Sequence, residues 1–300
     1  MSLLACGTVA FDSVETPFGK ADQVLGGSAT FFCFAASYLT PTRLMGIVGE
    51  DFPTKYVEEM GAREIDTAGL QVEKGGKTFH WTGKYVGDMN DAQTLGVSLN
   101  VLMGYKAAVP ESFRDTSYVF LAADRPQTQL DVMAAVPHRK LAVADTRDMW
   151  ITEEPDALAE VLRQVDGLVL NESEARLLTG EENLVRAGGD ILGRGPAWCV
   201  IKKGEHGSLL FSGDGIHALP AYPLSEVRDP TGAGDSFAGG LMGYLASTRK
   251  TSLEAIKRGL TYGTVLASVC VQGFSVEPFR NFSKDDLADR HDAFIEATRF

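Results

Sequence analysis

Short apolar runs alternate with longer segments of helical character along almost the whole chain, and no other feature restricts the fold as strongly. Residues 3–7, 43–48, 118–122, 141–144, 167–170 and 198–201 are the predicted strands. Several lack the alternating polarity of a half-exposed strand, as expected where helices cover both faces of a parallel sheet. Between them, residues 29–38, 54–61, 127–136, 155–164, 172–178 and 184–192 read as helices. Three more follow at 235–247, 252–270 and 284–297, the second opened by the capping pattern Thr251-Ser252-Leu253-Glu254. In the third, Leu287, Phe294 and Ile295 are spaced for one buried face. This alternation predicts an α/β fold, an open and mostly parallel sheet flanked by helices. A chain of 300 residues suffices for one such domain, and no repeat, linker or low-complexity stretch divides residues 1–300.

Two regions break the pattern. Residues 12–25 and 77–105 are polar, turn-rich and alternating, as in Thr78-Phe79-His80-Trp81-Thr82-Gly83-Lys84-Tyr85. Alternation suits strands with one exposed face, so these pieces are expected to pair as a small sheet. Such a sheet can act as a lid over the C-terminal ends of the parallel strands, where α/β sheets place ligands. A surface hairpin without function fits the same residues. Unpaired edges on the lid would also invite a second copy to pair, giving a homodimer.

Charge and composition narrow the function. The net charge of −12, from 28 basic and 40 acidic residues, disfavours nucleic acid and anionic membranes as partners. No apolar run approaches the ~20 residues that span a bilayer. The start of the chain lacks a basic region before its apolar stretch, so it does not read as a signal peptide, and a cytoplasmic location is expected. Cys6, Cys33, Cys199 and Cys270 lie far apart in apolar surroundings, without metal-ligand spacing. Gly76-Lys77-Thr78 ends like a P-loop, but Gln71 stands where that motif requires glycine. Serine-hydrolase and zinc motifs are absent, and no Gly-x-Gly-x-x-Gly follows the first strand to support a dehydrogenase.

The richest chemistry lies in Asp229-Pro230-Thr231-Gly232-Ala233-Gly234-Asp235, at the predicted start of a helix. A helix N-terminus offers unpaired amides and a partial positive charge, and small residues let an anion reach them. Asp235 is out of place beside an anion unless it takes a proton from a hydroxyl attacking phosphorus. Asp and Ser are also ordinary residues of first helical turns, so capping alone explains part of the pattern.

Other candidates follow the order of the chain. Asp12, just past the first strand, can accept hydrogen bonds from substrate hydroxyls, or be a plain turn residue. Gly26 and Gly27 precede a helix and leave backbone open to a substrate, although a turn before a Ser cap reads the same way. Asn171 and Glu174 form a capping box on sequence, and also suit a water-mediated Mg²⁺ site. Lys202-Lys203-Gly204-Glu205-His206-Gly207 reads as a turn whose backbone can border a nucleotide.

Gly26-Gly27 with its following helix, and Asp229 to Asp235, resemble the two signatures of the PfkB/ribokinase family of sugar and nucleoside kinases. The resemblance runs in order over essentially the whole chain, and the second signature is highly specific. Asn171-x-x-Glu174 is similar to the family's Mg²⁺/phosphate motif, and Lys203-Gly204-x-x-Gly207 to its nucleotide loop. The stretch 267–273, ending in Gly273, resembles the last segment bordering adenine. The resemblance implies a ribokinase-like sheet with a small β-sheet lid, and transfer of the ATP γ-phosphoryl group to a sugar or ribonucleoside hydroxyl. It makes Asp235 the catalytic base and Gly232, Ala233 and Gly234 the anion hole, with Asp12 on substrate hydroxyls. Asp229 and Thr231 match positions that bind a monovalent cation such as K⁺ in some members. The chain departs from the pattern on the substrate side. Gly26-Gly27-Ser28-Ala29-Thr30-Phe31 offers no Asn, and Asp145-Thr146-Arg147-Asp148 only partly matches Asp-x-Asn-x-Arg, leaving Arg147 without an implied role. A non-catalytic protein binding a nucleotide or sugar on the same fold is the alternative, against which the intact Asp235 counts.

Overall fold

The structure is a computed structural model that describes residues 3–90 and 92–299. Met1 and Ser2 of the N-terminal stretch, Asp91 within the 77–105 segment, and Phe300 lie outside the described residues. The chain runs through β1 (Leu3–Cys6), β2 (Ala10–Thr16), β3 (Gly19–Gly26), α1 (Ser28–Ala36), β4 (Thr42–Gly49), α2 (Thr54–Ala62), β5 (Ile65–Glu73), β6 (Phe79–Tyr85) and β7 (Ala92–Ser98). Next come β8 (Tyr118–Leu121), α3 (Pro126–Ala135), β9 (Leu141–Ala144), α4 (Asp148–Glu153), α5 (Pro155–Gln164), β10 (Gly167–Asn171), α6 (Glu172–Thr179) and α7 (Leu184–Gly193). The C-terminal part holds β11 (Trp198–Lys202), β12 (Ser208–Ser212), β13 (Gly215–Leu219), α8 (Ala233–Thr248), α9 (Leu253–Cys270), α10 (Glu277–Arg280) and α11 (Lys284–Ala297).

A nine-stranded sheet in the order β13-β12-β11-β10-β9-β8-β1-β4-β5 carries the body. Strands β11 through β5 pair in parallel, and β12 and β13 add an antiparallel edge. Successive residues of a strand point to opposite faces, and the core divides accordingly. Leu3, Ala5, Tyr118, Phe120 and Val169 join α1, α8 and α9 on one face. Leu4, Cys6, Val119, Leu121, Leu168 and Leu170 join α3, α5 and α7 on the other. The predicted strands and helices thus lie where the apolar patterning puts them.

Some elements escape that patterning. Strand β5 is an edge strand with only Ile65 and Gly69 buried, so it carries no apolar run. Helix α4 is a short turn of helix directly after Arg147, in a stretch whose sequence reads as loop. Helix α9 starts one residue later than its capping pattern implies, with Ser252 rather than Thr251 accepting from the amide of Ala255.

Strands β3, β2, β6 and β7 form a separate four-stranded sheet in that order, with β2 and β6 parallel. Ala10, Val14, Phe79, Trp81, Tyr85 and Met89 make its apolar face, which packs on Val227 and Phe274 of the body. Strand β7 is exposed along its whole length.

Helix α8 passes through the interior and positions the site. A side chain on Gly239 would come within 2.4 Å of the Phe32 carbonyl in α1, and one on Gly240 within 2.6 Å of the Tyr262 carbonyl in α9. These bare positions let three helices pack backbone to backbone.

Candidate active site

Gly232 caps α8 in the left-handed region, at φ 78°, over the ring of Phe31. Phe31 is therefore core beneath the loop rather than acceptor surface. The Ala233 amide donates to the Pro230 carbonyl at 3.1 Å, and that of Ser236 to the Gly232 carbonyl at 2.8 Å. The amides of Gly232, Gly234 and Asp235 find no acceptor among the described residues. An anion hole here consists of those three, with Ala233 contributing its small size rather than its N–H.

Asp235 sits in the first turn of α8, half-buried, and its carboxylate makes no hydrogen bond or ion pair among the described residues. Burial lifts its pKa to about 8; the Asp145 carboxylate adds to the effect, while Lys202 and Arg147 oppose it. A carboxylate in that state is poised to accept a proton near neutral pH.

Lys202 ends β11, and its Nζ lies 3.0 Å from Oδ2 of Asp145, just past β9. Burial works against its charge, but the carboxylates of Asp145, Glu174 and Asp235 outweigh that and raise its pKa. Sequence reasoning missed Lys202, settling on its neighbour Lys203. The available signal was a lysine closing an apolar strand of a parallel sheet, the end at which ligands bind. Arg147 is exposed, without a hydrogen bond or ion pair among the described residues. Its charge acts on Asp12, Asp235, Glu174 and Tyr85, so it faces the same cleft.

On the substrate side, the two glycines have separate reasons. A side chain on Gly26 would fall 1.9 Å from Oδ2 of Asp12, across the β2–β3 pair. Gly27 has φ 96°, and a side chain there would strike the Thr8 carbonyl at 2.4 Å. The motif therefore makes room for the Asp12 carboxylate rather than for a substrate alone. Asp12 is 5% exposed; burial lifts its pKa to about 7, opposed by a hydrogen bond from the Gly27 amide and reinforced by Asp229. Asp229 accepts from the Thr231 amide at 2.9 Å, and the Thr231 hydroxyl donates to the Tyr85 hydroxyl at 3.3 Å. That last contact brings the small sheet onto the glycine motif.

On the nucleotide side, Asn171 and Glu174 form the reciprocal capping box, each accepting the other's amide at 2.8 Å. Glu174 has a raised pKa, from burial and then from the nearby Asp145 carboxylate. The Lys202 ammonium opposes this effect. Among the described residues no group of three or more His, Cys, Asp and Glu could hold a metal ion directly. A Mg²⁺ ion, which keeps several waters, suits such a site. The Lys203 amide donates to the Gly207 carbonyl at 2.7 Å, closing the exposed loop at Gly204. Gly204 lies under Asn90 of the small sheet's turn, and Gly273 packs on Pro278.

Free amides at a helix start, a half-buried carboxylate beside them and a lysine against them suit a phosphotransferase acting on an alcohol. The chain belongs to the pfkB family of carbohydrate kinases, whose family model matches residues 11–277. It is similar to a cytidine kinase of Thermococcus kodakarensis, 29% identical over 87% of this chain and 94% of that protein. The fold matches a Burkholderia thailandensis nucleoside kinase in complex with inosine, with a TM-score of 0.78 at 18% identity over 98% of this chain and 99% of that one. It also matches a putative Ribokinase II of E. coli in complex with ATP and Mg²⁺, with a TM-score of 0.78 at 19% identity, covering 97% and 99%. The protein is a sugar or nucleoside kinase. Among the described residues no helix is long and apolar enough to cross a membrane.

Proposed function

We propose that the protein transfers the γ-phosphoryl group of ATP to a hydroxyl of a ribonucleoside. The observation that carries the reading is Asp235, an unpartnered carboxylate with its proton affinity raised, beside the free amides of Gly232, Gly234 and Asp235 itself. Asp12 holds the acceptor's hydroxyls, and Asp235 takes the proton of the one that attacks. The new oxygen–phosphorus bond forms as the bond to ADP breaks, while the amides stabilise the charge on the transferring group. Lys203, Gly204, Gly207 and Gly273 border the nucleotide, and Asn171 holds Glu174 toward the phosphates. Mg²⁺ near Glu174 supplies neutralisation of the triphosphate when bound. A monovalent cation such as K⁺ beside Asp229 and Thr231 would tighten the glycine loop, and a KCl titration of the rate reads this directly.

A base rather than a second sugar ring suits the acceptor side. Phe79, Trp81, Tyr85 and Met89 share the apolar face of the small sheet, continuous with Phe274. Each of the four is 8% exposed, so a base would meet only the margin of this face, whereas a free sugar needs polar partners. The relatives named as cytidine and nucleoside kinases agree with this choice. The small sheet acts as a lid on one catalytic unit, excluding water as a competing acceptor. The exposed strand β7 offers an edge on which two lids would pair, and light scattering tests that dimer. The deciding experiment is ADP release across a panel of sugars and ribonucleosides. Turnover with ribose and not with any nucleoside would overturn the acceptor assignment. Binding of both substrates without ADP from any member would favour a non-catalytic binder.

A further inference from the structure

We propose that Lys202 is a second catalytic residue, its ammonium anchored by Asp145 and laid on the bare backbone of Gly234 to contact the phosphoryl group in transfer. This rests on the kinase reading above.

A Cβ placed on Gly234 would be 2.8 Å from Lys202 Nζ, so the ammonium occupies the space a side chain would fill. It therefore lies against the first turn of α8, where the amides of Gly234 and Asp235 are free. Lys202 and Asn171 are register partners on β11 and β10, which brings Glu174 alongside. The side chains of Lys202 and Asp145 are 16% and 6% exposed, so the pair is shielded from solvent. A simple ion pair would leave this arrangement unexplained in one respect. An ammonium has three donors, and Asp145 is the one hydrogen-bond acceptor it has among the described residues. The remaining donors are free for phosphoryl oxygens. The lysine stays protonated throughout: the acceptor's proton goes to Asp235, the acceptor oxygen bonds phosphorus, and the bridging oxygen leaves with ADP. Asp145 is a positioning residue, acting through Lys202. A compact charge also matters, because a guanidinium fork needs more room than the bare glycine leaves.

The test compares Lys202→Met, Gly234→Ala and Asp145→Asn with wild type, using turnover and calorimetric binding of ADP and of the β,γ-imido analogue of ATP. Lys202→Met should lower kcat about 10²–10³-fold, in line with loss of one preorganised charge-stabilising donor. Its affinity for the imido analogue should fall about tenfold or more, and that for ADP about threefold or less, since the contact is to the terminal phosphoryl group. Gly234→Ala displaces only the end of a flexible side chain and should show the same selective loss in milder form. Asp145→Asn should lower kcat about tenfold and move the alkaline limb of the pH profile down, because the carboxylate helps hold the lysine's proton. Equal loss of both nucleotides, or kcat within about threefold of wild type in folded Lys202→Met, would make the pair structural and overturn the assignment. A wild type that produces no ADP with any acceptor would sink the kinase reading instead, and the difference between the two nucleotides would still decide Lys202.

Discussion

Neutralising Asp12 should stabilise the protein while weakening its hold on the acceptor. Burial and Asp229 lift this carboxyl from 3.8 to about 7, against the Gly27 hydrogen bond. An acid that binds its proton more tightly folded than unfolded makes stability fall as pH rises between the two values. The loss begins near 3.8 and is complete above about 7. Each pH unit in that window is worth about 1.4 kcal/mol, so from about pH 5 to about pH 7 Asp12 removes about 3 kcal/mol. Asn in its place has no charge to bury and keeps an oxygen for the Gly27 amide. Urea unfolding of Asp12→Asn and wild type should therefore diverge by about 3 kcal/mol between about pH 5 and about pH 8.5, the variant gaining at the higher pH. In the kinase assay the same variant should raise the acceptor KM about tenfold or more, because hydrogen bonds to a charged group contribute about 1.5–3 kcal/mol each. A stability difference independent of pH would refute the reasoning about burial. An unchanged KM would remove Asp12 from acceptor binding.

Asp235→Asn should lower kcat at least about 10²-fold with a smaller change in nucleotide affinity, and near-normal turnover would remove Asp235 from the mechanism. Because the base must lose its proton to work, wild-type kcat/KM should rise about tenfold per pH unit below a pKa near 8; an acid limb near pH 4 would place the base elsewhere. Gly239→Ala, far from the chemistry, should destabilise by about 1–3 kcal/mol through its clash with the Phe32 carbonyl. Denaturant unfolding with no loss would show that α1 and α8 can separate freely. Tyr85→Phe removes the hydroxyl that Thr231 meets across the lid, and should raise both the acceptor KM and the hydrolysis of ATP by water. Identical kinetics would mean that contact plays no part in the reaction.

Local patterning made much of the molecule legible. The strands buried on both faces announce themselves as apolar runs, and the capping box at Asn171 sits where its residues fall in sequence. Edge strand β5 stayed hidden because one sparsely buried face leaves no hydrophobic signature. The candidate site was legible wherever it is built from consecutive residues, as in 229–235. Lys202 was not, since a lysine at a strand end looks like any solvated charge until its partners are known.

The chain's own periodicity determined the layered α/β architecture and the placement of a glycine-rich helix start, because backbone pairing and solvent exposure act on neighbouring residues. Only the tertiary structure decided which charges share the cleft. Asp145 follows β9, Lys202 ends β11, Asp12 lies in the small sheet and Asp235 in α8, brought together by the strand order of the sheet. Gly26 and Gly234 show the difference most directly. Their bareness is visible in one dimension, but its cause is a side chain arriving from another strand, the Asp12 carboxylate for one and the Lys202 ammonium for the other. Electrostatic coupling depends on distance and burial, and neither exists until the chain has closed on itself.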